Sequence, residues 1–161
     1  MRRIVLSDHF TLDELTRSDT ALRLGIDNTQ PPFEVLRNLG YLAEVLERVR
    51  AQLAAPLIIT SGYRCPALNA ALGSKPTSAH VLGLAADFIA PGFGSPLEVA
   101  QQINESAIRY DQLIHEGRWV HLSISRAHNR MQRLTAHFDD GRASYTSGLS
   151  ISRNTYQQEL A

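Results

Sequence analysis

From Val35 to Leu53, apolar side chains recur at intervals of three and four: Val35, Leu36, Leu39, Leu42, Val45, Leu46, Val49 and Leu53. That spacing draws one apolar stripe along a long helix, and such a stripe must be buried against something apolar. Glu47, Arg48 and Arg50 lie off the stripe. Pro31 and Pro32 stand where a helix accepts proline, in its first turn. The rest of the chain supplies the partner. "PLIITSGYR" reads as a strand that breaks at Ser61-Gly62, and "AADFIA" as a buried strand. "YDQLIHE", "WVHLSIS", "QRLTAHF" and "RASYTSG" alternate as further strands with turn residues between them. Helices first and antiparallel strands later indicate an α+β domain, an antiparallel sheet with helices packed on one face.

Smaller elements fill in around this frame. Thr11 and Glu14 have capping-box spacing, which starts a short helix over about residues 12–17. A polar, glycine-containing stretch then runs to "TQPP" and is read as a connection. "CPALNAAL" reads as a short helix. Ser95, Pro96 and Glu98 open another, with a cap, a proline at the first helical position and an acid three residues on.

At 161 residues the chain has room for one domain with a real core, taken as 1–161. Acidic and basic residues number sixteen each, which argues against a nucleic-acid binder. No apolar run approaches a membrane span, and "MRRIVLSDHFTLDEL" lacks the apolar core of a signal peptide, so membrane insertion is not expected. The single cysteine, Cys65, allows no internal disulfide and fits synthesis in a reducing cytoplasm. A buried inert thiol is the expectation for it, since nothing supplies a base beside it.

The chemistry concentrates in two places. "TSAHVLGLAADF" holds His80 and Asp87 seven positions apart, with Gly83 between them. Gly83 breaks the segment, so a single helix carrying both is not favoured, and Asp87 falls at the start of a buried strand. A carboxylate there needs a partner or a cation. Arg64 is one candidate partner, which would leave His80 as a surface loop residue. "LIHEGRWVHLSI" reads as a hairpin whose Gly117-Arg118 loop fits a type II′ turn. Glu116 then faces Trp119 and Ile114 faces His121. Alternation puts Glu116, Trp119 and His121 on one face, with Glu116 and His121 diagonal neighbours about 7 Å apart. Two imidazoles and one carboxylate suit a catalytic Zn2+, leaving a fourth position for water, and Glu116 is placed to move its proton.

"SAHVLGLAAD" matches S-x-H-x-x-G-x-A-x-D at Ser78, His80, Gly83, Ala85 and Asp87. With "SGYRCPALN" before it and "WVH" after it, the chain resembles the M15 zinc peptidases. These include D-Ala-D-Ala carboxypeptidases and L-alanyl-D-glutamate endopeptidases and share a fold with the hedgehog signalling domain. The resemblance covers most of the chain and is strongest to short phage and prophage members. It implies zinc ligation by His80, Asp87 and His121, Glu116 as catalytic base, and substrate contact by Arg64 and Ser78. In many members the acid stands three residues before the last histidine, where this chain has Arg118. In others it lies further upstream, nearer Glu116.

Other readings stay beside these. Arg64 can be a structural partner of Asp87, Ser78 can simply shape its loop, and Trp119 is either a substrate-binding wall of the site or a hairpin-stabilising aromatic. His115 faces away from Glu116. His9, His128 and His137 have no partner at ligand spacing and are read as surface residues. Asp111, an alternative acid, falls at the far end of its strand.

The resemblance implies a zinc-dependent hydrolase of the stem peptides of bacterial peptidoglycan, a D,D-carboxypeptidase or an L,D-endopeptidase, expected as a monomer. Reaching the wall without a signal peptide would need a phage holin or carriage in a virion tail. The reading from another class is a non-catalytic zinc module that binds the wall or serves in a virion. Glu116 and an open fourth zinc position favour the enzyme.

Overall fold

The computed structural model describes residues 4–153. In chain order the elements are α1 (Leu12–Thr16), α2 (Asp19–Leu24), α3 (Phe33–Leu53), β1 (Ile58–Ser61), α4 (Pro66–Ala71), β2 (Ala85–Ile89), α5 (Pro96–Glu105), β3 (Gln112–His115), β4 (Val120–Ser123), β5 (Gln132–Asp139) and β6 (Arg142–Ser147). The six strands form one sheet in the order β1-β2-β4-β3-β5-β6. This is the α+β arrangement expected, with one correction. β3 and β5 pair in parallel, Ile114 opposite Leu134, while the other neighbours are antiparallel. β4 ends and β5 begins at the same end of the sheet, both beside Gln112, so the segment between them only steps past the start of β3 and β5 then runs in the direction of β3.

The α3 stripe buries as its period requires: Leu39, Leu42, Val45, Leu46, Val49 and Leu53 lie in one core. Val99 and Ile103 of α5 join it, with Ala86 and Phe88 of β2, Leu113 of β3, and Val120 and Leu122 of β4. These strand residues alternate with Asp87, Ile114 and His121, which therefore take the opposite face of the sheet. α5 begins as its sequence indicates: the Ser95 hydroxyl accepts from the Glu98 N–H, and the Glu98 carboxylate accepts from the Ser95 N–H.

Several local expectations are corrected. The stretch after α1 is not a plain connection but contains α2, capped by the Ser18 hydroxyl and ended by Gly25 at φ 66°. The prolines precede α3 rather than enter it: Pro32 is the N-cap, with extended ψ. Thr11 makes no side-chain cap, and among the described residues its buried hydroxyl oxygen has no hydrogen-bond partner. Cys65 is half-buried at the head of α4 rather than fully enclosed.

Candidate active site

The ligand-bearing residues arrive from three places. Asp87 and His121 stand directly opposite each other on β2 and β4. His80 comes from a run of tight turns between α4 and β2, not from a helix. Ser78 shapes that run: its hydroxyl accepts from the His80 N–H at 3.3 Å. Gly83 ends it at φ 68°, where a Cβ would press on Val35 of α3 at 2.9 Å. The residue must be glycine both for its backbone angle and for this close approach, and the loop thereby rests on the long helix.

The three donor atoms form a small triangle. His80 Nε2 lies 3.3 Å from Asp87 Oδ1 and 3.2 Å from His121 Nδ1, and His121 Nδ1 lies 2.8 Å from Asp87 Oδ1. Tetrahedral zinc with bonds of 2.0–2.1 Å needs ligand atoms roughly 3.3 Å apart. Among the described residues, these three make the one group of His, Cys, Asp or Glu that could hold a metal. The remaining polar atoms point to the same use. His80 Nδ1 lies 2.6 Å from the Gly62 carbonyl, to which it donates, so Nε2 is left with its lone pair free. Asp87 Oδ2 accepts from Arg64 at 2.8 Å, leaving Oδ1 for a cation. The residues present therefore fit a metal ion.

The Gly62 carbonyl is itself held in place. A Cβ at Gly62 would collide with the Leu15 carbonyl, which accepts from the Tyr63 N–H at 2.7 Å. Buried Asn28 ties the same corner together. Its amide donates to the Thr16 and Tyr63 carbonyls, and its oxygen accepts from the Cys65 N–H. Nothing in the sequence pattern singles out Asn28, because its partners lie up to 37 positions away.

Arg64 is engaged on the protein side. Besides Asp87, it donates to the Ser61 hydroxyl at 3.0 Å and to Ser74 at 3.4 Å. The structural partnership with Asp87 is thus present. His80 is nonetheless buried rather than a surface residue.

Electrostatics divide the group. Burial alone would raise the Asp87 pKa, but His80, and hydrogen bonds to His121 and His80, hold its carboxyl far below the usual carboxylate range. Burial lowers His80 and prevails over Asp87. Burial also acts to lower His121, but the hydrogen bond and charge of Asp87, then the charge of Glu116, raise it.

The hairpin has the expected register, with Ile114 opposite His121 and the Glu116 N–H donating to the Trp119 carbonyl. Its loop is tighter than a type II′ turn. The Arg118 N–H donates to the Glu116 carbonyl across Gly117, which has φ 75°, and that closes a γ-turn. Glu116 is brought to the face of His121, and the Trp119 indole donates to its Oε2 at 2.7 Å. Burial, then the negative charge of Asp87, raise the Glu116 pKa above the ordinary glutamate value. Beside the turn a cavity of about 600 Å³ is bordered by Glu116, Trp119, Phe138, Ile151 and Ser152.

The other titratable residues fall elsewhere. His115 stands opposite Val120 on the helix side, with Nδ1 2.9 Å from the Ser150 carbonyl. His9 pairs with Glu47 and Asp111 with Arg130. His137 is a correction: it is buried, accepting from the Arg153 N–H and bonding the Thr146 hydroxyl, because the segment after β6 folds back over β5.

Against curated proteins the chain has no significant match. The sequence model of the family described as peptidase M15 matches residues 8–123, a span that contains α1 through β4 and every member of the His80–Asp87–His121 group together with Glu116. With a metal-sized triangle of donors inside that span, the chain belongs to the peptidase M15 family, a family of metal-dependent peptidases.

Proposed function

We propose that this protein is a zinc-dependent peptidase that hydrolyses peptide bonds in the stem peptides of bacterial peptidoglycan, on a fold of the hedgehog and D,D-peptidase type. The observation that carries the reading is the half-buried Glu116, its pKa raised, on the sheet face that carries the donor triangle. A structural metal site would have no use for a nearby carboxylate of raised basicity.

His80, Asp87 and His121 would hold the ion. When bound there, zinc supplies Lewis acidity toward a carbonyl oxygen and makes water more acidic. Glu116, as a carboxylate, takes a proton from the attacking water and delivers it to the departing amine nitrogen. Hydrolysis then leaves the water's hydroxyl on the acyl carbon and the proton on the amine. Trp119 fixes the direction of Glu116 by its indole N–H, and both residues border the cavity beside the turn. Arg64 and Ser78 are the proposed contacts for a substrate carboxylate or carbonyl, Arg64 with the N–H groups it does not spend on Asp87, Ser61 and Ser74.

Among the described residues no helix is long and apolar enough to cross a membrane. Release through a phage holin, or carriage in a virion tail, is the proposed route of a monomeric enzyme to the wall.

Mass spectrometry of purified peptidoglycan incubated with zinc-loaded protein, with and without chelator, tests the reading. The expected result is a chelator-sensitive product. Loss of a terminal alanine would identify a carboxypeptidase, and a freed stem peptide an endopeptidase. Zinc bound with no product would favour a non-catalytic wall-binding or virion module.

A further inference from the structure

The β5–β6 hairpin lies beyond residues 8–123, yet it reaches the site. The pairings run in a row across one face of the sheet: Asp87 opposite His121, His121 opposite Ile114, Ile114 opposite Leu134. Two residues further along, on the same face, come Glu116 after β3 and Ala136 on β5. Ala136 stands opposite Tyr145 across the β5–β6 pair. Trp119 and Glu116 meet at the turn and Ala136 meets Tyr145 one pair further out, so the four lie on this face just past the end of the β3–β5 pairing.

Ala136 carries only a methyl group, so its own side chain does not separate Glu116 from Tyr145. Two strand spacings separate the backbones of these residues by roughly 10 Å. A tyrosine side chain laid across the alanine covers much of that distance. On β6 the neighbours of Tyr145 on this face are Ala143 and Ser147, both small. Tyr145 is 54% exposed, so solvent and substrate have access to it. Among the described residues its hydroxyl has no hydrogen-bond partner. Burial, then the carboxylates of Glu116 and Asp87, raise its pKa, which places the phenol in the field of both groups and keeps it a proton donor at neutral pH.

We propose that Tyr145 is a substrate-contacting residue of this site, its phenol donating a hydrogen bond to an oxygen of the peptide held beside Glu116. The inference rests on the peptidase reading and adds to it a residue outside the matched span.

The test compares wild type with Tyr145→Phe, both zinc-loaded, for cleavage of a purified stem peptide and for its equilibrium binding by calorimetry. Zinc affinity is measured alongside by chelator competition. The phenylalanine keeps the ring and removes only the hydroxyl. The expected result is a fall of about 10-fold in kcat/KM with zinc affinity unchanged. A kcat/KM within about twofold of wild type overturns the inference, and so does a parallel loss of zinc, which would make the role structural. Where wild type binds the peptide but does not cleave it, the peptidase reading fails by itself. The dissociation constants then decide: about 10-fold weaker binding by the variant supports the contact, and equal binding overturns it. Wild type that neither cleaves nor binds the peptide overturns both.

Discussion

The donor triangle and the Glu116 turn share one sheet face but are held in different ways. His80, Asp87 and His121 are fixed from several directions: by the Gly62 carbonyl, by Arg64 and by a loop resting on α3. Their charges compensate, and Asp87 is driven far toward its ionised form. Glu116 sits on a three-residue turn and, among the described residues, has one side-chain hydrogen bond, from Trp119. Its own environment pushes it the other way, toward the protonated form. A metal site gains from rigidity and a fixed ionisation state, whereas a proton shuttle must exchange its proton near working pH.

Asp87→Ala breaks the comparison most severely. It removes one donor and strands Arg64, and metal content after dialysis, read by elemental analysis, should drop to background along with activity. Glu116→Gln should leave metal content intact while kcat falls by about 10²–10⁴-fold, which stopped-flow or end-point assays would register. Full activity in that variant would move the base elsewhere. Arg64→Met leaves the triangle complete but frees Asp87 Oδ2, and chelator competition should show metal affinity about 10–100-fold weaker.

Two pH experiments sharpen the contrast. In the metal-free protein, Asp87 and Glu116 raise His121 above its ordinary value of 6.5 despite burial. Ligation needs its Nδ1 free of a proton, so metal affinity should fall as pH drops through a range reaching above that value. Calorimetry in buffers of different ionisation enthalpy would count the proton released. In the metal-free protein burial, then the charge of Asp87, hold Glu116 above the ordinary glutamate value; the carboxylate is the active form, so kcat/KM of the loaded enzyme should rise with pH on an acid limb as Glu116 ionises. Trp119→Phe removes a hydrogen bond that lowers this pKa, and the limb should move upward in a pH–rate profile while metal affinity stays unchanged.

Much of this arrangement can be read from periodicity. The stripe of α3, the four later strands, the Ser95 capping box and the face shared by Glu116, Trp119 and His121 are all consequences of local spacing. What periodicity does not carry is which strands become neighbours. The parallel β3–β5 pairing, and with it the placement of Tyr145 on the face of Glu116, joins residues whose side chains say nothing about direction. α2 did have a local signature, Ser18 before it and Gly25 after it, but its exposed leucines give no stripe to notice. Thr11 shows the converse: the capping pattern is present and the cap bond is not.

The order of strands has a kinetic meaning as well. Asp87 and His121 are separated by 34 positions, and His80 and His121 by 41. Two large loops must close before these atoms meet, and contacts of such range form late and slowly. An ion cannot organise the nascent chain through this triangle, because the triangle does not yet exist. An ion that binds the assembled triangle more tightly than the open chain would raise stability with free metal concentration by mass action.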